Sequence, residues 1–315
     1  MPKKTDYHVH PDYSLDAEQV KIKTYCRRAL ELGLKEICFT THMEFAKLEQ
    51  GNDKLVYYQG KPYSLLNYNW LDAYFKEIQQ AQQEFKKDGL QVKAGVEIGY
   101  HRKYAKEIEK VVSQYPFDYV LGAIHNLAGY SIASKVESAS YFAARDLATV
   151  QHDYFSLLAE AVKTGLFDAI AHLDIYCRYG MRHYGEQITT IHRGVIEPIF
   201  AEMAKRKMAL EINTSSRSRL LKEFHPAKEI VALAAKAGLK YFTVGSDAHR
   251  LEELGRHLHE ALSLLREFKL TNCVYTRRRA IPLSTSNLNQ FTQHKQPGHS
   301  LHMANYGKHH QSGRH

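Results

Sequence analysis

His8 and His10 lie two apart in the segment Asp6-Tyr7-His8-Val9-His10. On an extended chain that spacing sends both side chains to one face, where two imidazole nitrogens suit a single metal ion. One His-x-His alone is equally a pair of ordinary polar strand residues. The residue types recur, however. His42 follows Thr41, Glu97 closes Gly95-Val96-Glu97, and His125 closes Gly122-Ala123-Ile124-His125. His172 precedes Leu173-Asp174, Glu211 and Asn213 flank Ile212, and Asp247-Ala248-His249 follows Ser246. Each falls at the end of a short run rich in Val, Ile, Phe, Tyr or Ala. Six such histidines and two carboxylates (Glu97 and Asp247) at equivalent places need a common cause, because carboxylates gathered away from water require a counter-charge. A divalent cation supplies one. The set exceeds the roughly four to six ligands that one ion takes, so two or three ions are expected.

The runs that carry these residues are 5–10, 36–41, 92–98, 119–125, 169–173, 209–213 and 241–246. Amphipathic, helix-like stretches alternate with them at 18–32, 70–85, 103–115, 147–164, 188–207, 227–237 and 252–268. Gly33, Gly89, Gly165 and Gly238 supply stop signals. Strand–helix pairs in this order imply an α/β fold with parallel strands. An open sheet would scatter the strand ends, whereas a closed (β/α) barrel brings them to one mouth, so the barrel is expected. Residues 52–69 and 126–146 read as insertions over that mouth. The expected domain is 1–283. Residues 284–315 form a polar, His-rich tail with few large apolar residues, expected to be disordered.

Composition narrows the function. Of the formal net charge of +9, +6 comes from residues 271–315, as Arg277, Arg278, Arg279, Lys295, Lys308 and Arg314, with no Asp or Glu among them. The body is nearly balanced, which argues against a nucleic-acid groove. No apolar run is long enough for a membrane span and no signal peptide opens the chain, so a cytoplasmic protein is expected. Cys26, Cys38, Cys177 and Cys273 lack the short spacings of a zinc-thiolate site or a disulfide framework.

The motif set resembles the PHP (polymerase and histidinol phosphatase) superfamily over roughly residues 4–283. Tyr141-Phe142, Arg145-Asp146-Leu147, Tyr154-Phe155, Gly165-Leu166-Phe167-Asp168, Asp174-Ile175-Tyr176 and Arg178-Tyr179-Gly180 are similar to its histidinol-phosphatase branch. The resemblance implies a distorted seven-stranded (β/α) barrel, TIM-like, with a trinuclear centre. It assigns a first ion to His8, His10, Glu97 and Asp247. A second goes to a bridging Glu97 with His125 and His172, and a third to His42, His249 and Asp16. Asp16 stands where relatives often have His, which tilts that site toward harder ions such as Mn²⁺ or Mg²⁺. The expected cofactors are two to three divalent ions, Zn, Mn or Fe. Thr41 stands where an Asp is common. Asn213-Thr214-Ser215-Ser216-Arg217-Ser218-Arg219 replaces an Asn-Thr-x-Gly stretch.

Such a cluster hydrolyses phosphate esters, since ions about 3.5–4 Å apart clamp a phosphoryl group and activate water for in-line displacement. The reaction implied by the branch is L-histidinol phosphate to L-histidinol and phosphate by attack of a metal-bridging hydroxide. Glu97 and Asp247 are the catalytic candidates, and Asp247 or a metal-bound water protonates the leaving alkoxide. Arg178, Arg217 and Arg219 are candidates for the phosphate, and His183 for the substrate. Glu44, Tyr100 and the 52–69 insertion are further candidates for selectivity. The alternatives are a PHP phosphoesterase for another small ester or nucleotides, and a non-catalytic metal-binding module. A nuclease needs a basic groove and a degenerate module needs lost ligands. Neither sign is visible.

Overall fold

The computed structural model describes residues 4–218 and 222–283. Seven parallel strands form its centre: Thr5–Val9, Glu36–Glu44, Gln91–Gly99, Tyr119–Ala123, Ala169–Ile170, Ala209–Asn213 and Tyr241–Gly245. They lie side by side in chain order, each hydrogen-bonded in parallel to the next. Strands such as Thr5–Val9, Tyr119–Ala123 and Ala209–Asn213 are buried along their whole length, which their apolar sequences permit. The two ends of the row meet at the mouth. Val9 bridges Ala248, and His10 N–H donates to the Ala248 carbonyl at 2.9 Å. At the base the ladder instead continues into Thr271–Thr276, parallel, and Arg279–Pro282, antiparallel. This divergence is the barrel's distortion. The sequence reading missed these last two strands, because their apolar residues are few and the Arg277-Arg278-Arg279 turn reads as the start of the basic tail.

Helices cover the outside of the row. Ile22–Glu31 buries Ile22, Tyr25, Cys26 and Ala29, one stripe at helical spacing. Leu147–Thr164 starts at Asp146, whose carboxylate accepts from Thr149 N–H at 2.7 Å, and stops at Gly165. The helix expected over 188–207 is broken. A 3₁₀ turn spans Gly185–Thr190, and the α-helix begins at Glu197, with Pro198 in the first turn where its missing N–H costs nothing. The expected 52–69 loop contains a hairpin, Lys54–Tyr58 with Lys61–Ser64. The 126–146 insertion holds a short hairpin, Asn126–Leu127 with Tyr130–Ser131, and a helix, Glu137–Ala143. Tyr7, Tyr119 and Tyr275 pack ring to ring inside the barrel below the strand ends. No described helix is long and apolar enough to cross a membrane. The expected tail, 284–315, and Arg219 lie outside the described residues.

Candidate metal centre

The strand ends and the segment carrying Asp16 bring eight of the expected side chains together around a ninth, Glu97, which is fully buried in the third strand. Its Oε2 lies 3.3 Å from His8 Nε2 and 3.5 Å from His10 Nε2. Asp247 Oδ1 faces the same two nitrogens at 3.5 and 3.3 Å. Glu97 Oε1 looks the other way, 2.8 Å from His172 Nε2 and 3.4 Å from His125 Nε2. At the rim, Asp16 Oδ2 is 3.6 Å from His42 Nε2 and 3.4 Å from His249 Nε2. His42 Nδ1 also lies 2.9 Å from Glu97 Oε2, so the sets that the resemblance implied run together into one cluster. Asp16 is exposed and the other members are buried or nearly so.

Local backbone explains part of the convergence. The fifth strand ends at Ile170, shorter than expected, because His172 takes φ 24°; Asp247 takes φ 54°. Residues with side chains rarely adopt that left-handed region, and such strain gathers at functional sites. Here it ends the ladder and accompanies the turn of each side chain into the mouth.

Behind this ring stands a second one. His8 Nδ1 meets Glu211 Oε1 at 2.6 Å, and Glu211 Oε2 accepts from His172 N–H at 2.9 Å. His125 Nδ1 meets Glu44 Oε1 at 2.6 Å. His10 Nδ1 is 3.2 Å from Ser14 Oγ, which lies 3.1 Å from Thr41 Oγ1. Thr41 therefore takes part in a hydroxyl chain behind His10. Ser14 was not singled out from sequence, and nothing in its neighbourhood marks it. Glu211 was seen at a strand end without a role.

The electrostatics call for positive charge. Burial alone would push the His8 imidazole down, but Glu211, Glu97 and Asp247 outweigh it and hold it well above its usual range. At His125, burial is likewise overcome by Glu44 and Glu97, and its pKa is raised to about 10. Burial would raise Glu97, yet His8, His125 and His42 hold it well below the carboxylate range. Burial, with His42 and His249 alongside, holds His10 well below the ordinary imidazole. His8 Nε2, His10 Nε2, His42 Nδ1 and Glu97 Oε2 are buried with no hydrogen-bond partner. Buried polar atoms without partners are costly, and here they face one another. Imidazole and carboxylate donors with this arrangement fit divalent ions. The ligand atoms of His8, His10 and Glu97 all lie within 4.8 Å of one another, as do those of His10, His42 and His249.

A cavity of about 670 Å³ opens above the cluster. Arg178 lines it, with Nη2 3.6 Å from Asp247 Oδ2 and 3.2 Å from Ser215 Oγ. Arg217 belongs to the one-turn α-helix Ser215–Ser218. His183 is not brought to the cavity. The helix Cys177–Tyr184 turns it outward, with its ring 5.7 Å from Phe142. Tyr100 is buried edge-on against Phe167 and does not reach the mouth either. Glu44 lines the cavity, but its carboxylate is committed to His125. Leu55, from the hairpin insertion, reaches the wall. Lys47 and Asn126 also line it and were missed, since both look like ordinary loop residues in sequence. Lys47 is held by Glu137 at 2.5 Å, which ties the two sides of the mouth together.

Parallel strands that carry a His/Asp/Glu cluster at their C-terminal ends define an α/β protein with a candidate polynuclear metal site. The PHP domain matches residues 6–215, and the chain belongs to that family. Within it, the chain is 30% identical over 265 residues to a "Probable histidinol-phosphatase" of Deinococcus radiodurans, covering 82% of this chain and 92% of that one. It is 28% identical to a histidinol-phosphatase of Lactococcus lactis, covering 84% and 91%. The fold is similar to the crystal structure of the Lactococcus lactis histidinol phosphate phosphatase complexed with zinc, L-histidinol and phosphate. The TM-score is 0.71, at 26% identity, covering 89% of this chain and 99% of that one.

Proposed function

We propose that this protein is a metal-dependent phosphomonoesterase that hydrolyses L-histidinol phosphate to L-histidinol and phosphate. The observation that carries the reading is Glu97, whose Oε2 faces His8, His10 and His42 while its Oε1 faces His125 and His172. A bridging carboxylate between two ion sites explains that geometry, and a purely structural Glu does not. The chain also spans nearly the whole length of relatives named for this activity.

His8, His10, Glu97 and Asp247 would hold one ion, and Glu97, His125 and His172 a second. His42, His249 and Asp16 would hold a third. Two or three ions are expected, with zinc, manganese or iron all compatible with these donors. Bound divalent ions supply Lewis-acid charge for the phosphoryl oxygens and lower the pKa of water. The chain's own residues do the rest. Arg178 pairs with phosphate oxygens at the mouth, where a guanidinium offers a two-pronged donor. Asp247 faces both the histidine cluster and, through Oδ2, the Arg178–Ser215 side of the cavity. In this reading either Asp247 or a metal-bound water passes a proton to the departing alkoxide, Asp247 doing so with a proton first taken from the attacking water. Ester hydrolysis breaks the P–O bond to histidinol and adds one water.

The test is a panel of small phosphate monoesters on metal-reconstituted protein, with ion content measured in parallel. A site that hydrogen-bonds the amine and imidazole ends of its substrate rejects esters lacking them. The expected result is a kcat/KM for histidinol phosphate far above that for p-nitrophenyl phosphate. Similar efficiencies would overturn the substrate assignment while leaving phosphatase chemistry in place.

A further inference from the structure

Glu44, the last residue of the second strand, stands directly across the ladder from Gly99, the last residue of the third. A Cβ on Gly99 would run into the Glu44 carboxylate. The bare glycine is what lets that carboxylate fold across the strand end. From there Oε1 reaches His125 Nδ1 at 2.6 Å, and Oε2 lies 3.4 Å from Asn126 Nδ2. The other side of the His125 ring then points inward, its Nε2 3.3 Å from His172 Nε2 and 3.4 Å from Glu97 Oε1. Among the described residues Glu44 joins none of the candidate ligand groups itself.

We propose that Glu44 is a positioning residue for the metal centre and that Gly99 is the space-maker on which it depends. Glu44 accepts the Nδ1 proton of His125, fixes the tautomer whose Nε2 lone pair faces Glu97 and His172, and holds the ring against rotation. A carboxylate behind a ligating imidazole raises its basicity and fixes its direction. Gly99 contributes without touching a histidine. The proposal rests on reading the cluster as an ion site, and the ion content of the unaltered protein tests that reading separately.

The experiment compares zinc-loaded wild type, Glu44→Gln, Glu44→Ala, Gly99→Ala and the double variant Glu44→Ala/Gly99→Ala. Each is dialysed against graded chelator, and retained zinc is measured by elemental analysis alongside kcat, KM and the melting temperature. Glu44→Ala should weaken retention of one ion per chain by roughly ten- to a hundredfold, the usual scale for losing such a partner. Glu44→Gln keeps the shape and an accepting oxygen, so it should recover part of that loss. Gly99→Ala should reproduce the Glu44→Ala loss in the wild-type background and add nothing once Glu44 is Ala, the non-additivity expected of residues acting through one contact. Wild-type retention in both Glu44 variants would overturn the role of Glu44. An equal Gly99→Ala loss in both backgrounds would overturn the role of Gly99. Wild-type protein holding less than one ion per chain would sink the ion-site reading itself.

Discussion

Glu97 serves two ligand sets with one side chain, whereas His249 belongs to a single set at the partly exposed rim. The two positions should therefore respond differently to the same kind of change. Glu97→Gln is expected to release two ions and to lower kcat/KM more than His249→Gln, by roughly a further hundredfold, the scale of losing a pre-organised electrostatic group. Elemental analysis should show one ion lost in His249→Gln. Equal and mild losses in both variants would show that Glu97 does not bridge. At this scale much of the site was legible in the sequence, because ligand chemistry restricts residue type and strand geometry restricts spacing. His8, His10, His42, Glu97, His125, His172, Asp247, His249 and Asp16 all converge as expected. What escaped was the supporting layer. Glu44 read as a candidate for selectivity and not as a partner of His125, Ser14 carried no signal, and His183, a substrate candidate, turns away from the cavity. Contacts made across 81 residues, as between Glu44 and His125, leave no local pattern to read.

The elements that carry the site are close-packed strands, and their spacing limits what each can bear. Gly245 ends the seventh strand beside His8 and Glu211, and a Cβ there would collide with His8 Cβ and stand 2.7 Å from Glu211 Oε1. Gly245→Ala should push Glu211 off His8 and cost about 1–3 kcal/mol in stability, as overpacking of a tight core does. Chemical denaturation and ion content together check this; an unchanged midpoint with full ion retention would show that the strands yield more easily than their packing suggests. The seven parallel strands were predictable because each is a short apolar run bounded by polar residues. Their ends were less so. The expected strand 169–173 shrinks to Ala169–Ile170 because the backbone turns at His172, a conformational choice that sequence periodicity does not record. Both hairpins in the insertions were missed. In the first, the turn rests on Gln59 at φ 51° beside Gly60, and Gln is a weak turn signal.

For the molecule as a whole, the cluster couples ion binding to stability. Buried carboxylates held ionised by imidazoles are a poor arrangement without cations, and binding to the folded state alone stabilises it by mass action. At an ion concentration a hundred times the dissociation constant the gain is about 2.7 kcal/mol. For a domain of this size that corresponds to a melting temperature about 5–10 °C higher. Calorimetry of chelated protein, before and after zinc is restored, should show that rise. No change would mean that the ions are bound too weakly to matter or that the empty cluster is not destabilising.

The junction between Val9 and Ala248 joins the two ends of the barrel, and the first ligand set straddles it, with His8 and His10 on one side and Asp247 on the other. On the ribosome, His8 and His10 emerge among the first residues and must wait for almost the entire body to be synthesised before Asp247 appears. Domains fold as units during synthesis, and contacts this distant in sequence form late. Ion loading at that set should thus report completion of the chain: a nascent chain stalled at residue 240 should retain fewer ions in the same dialysis than one released at full length.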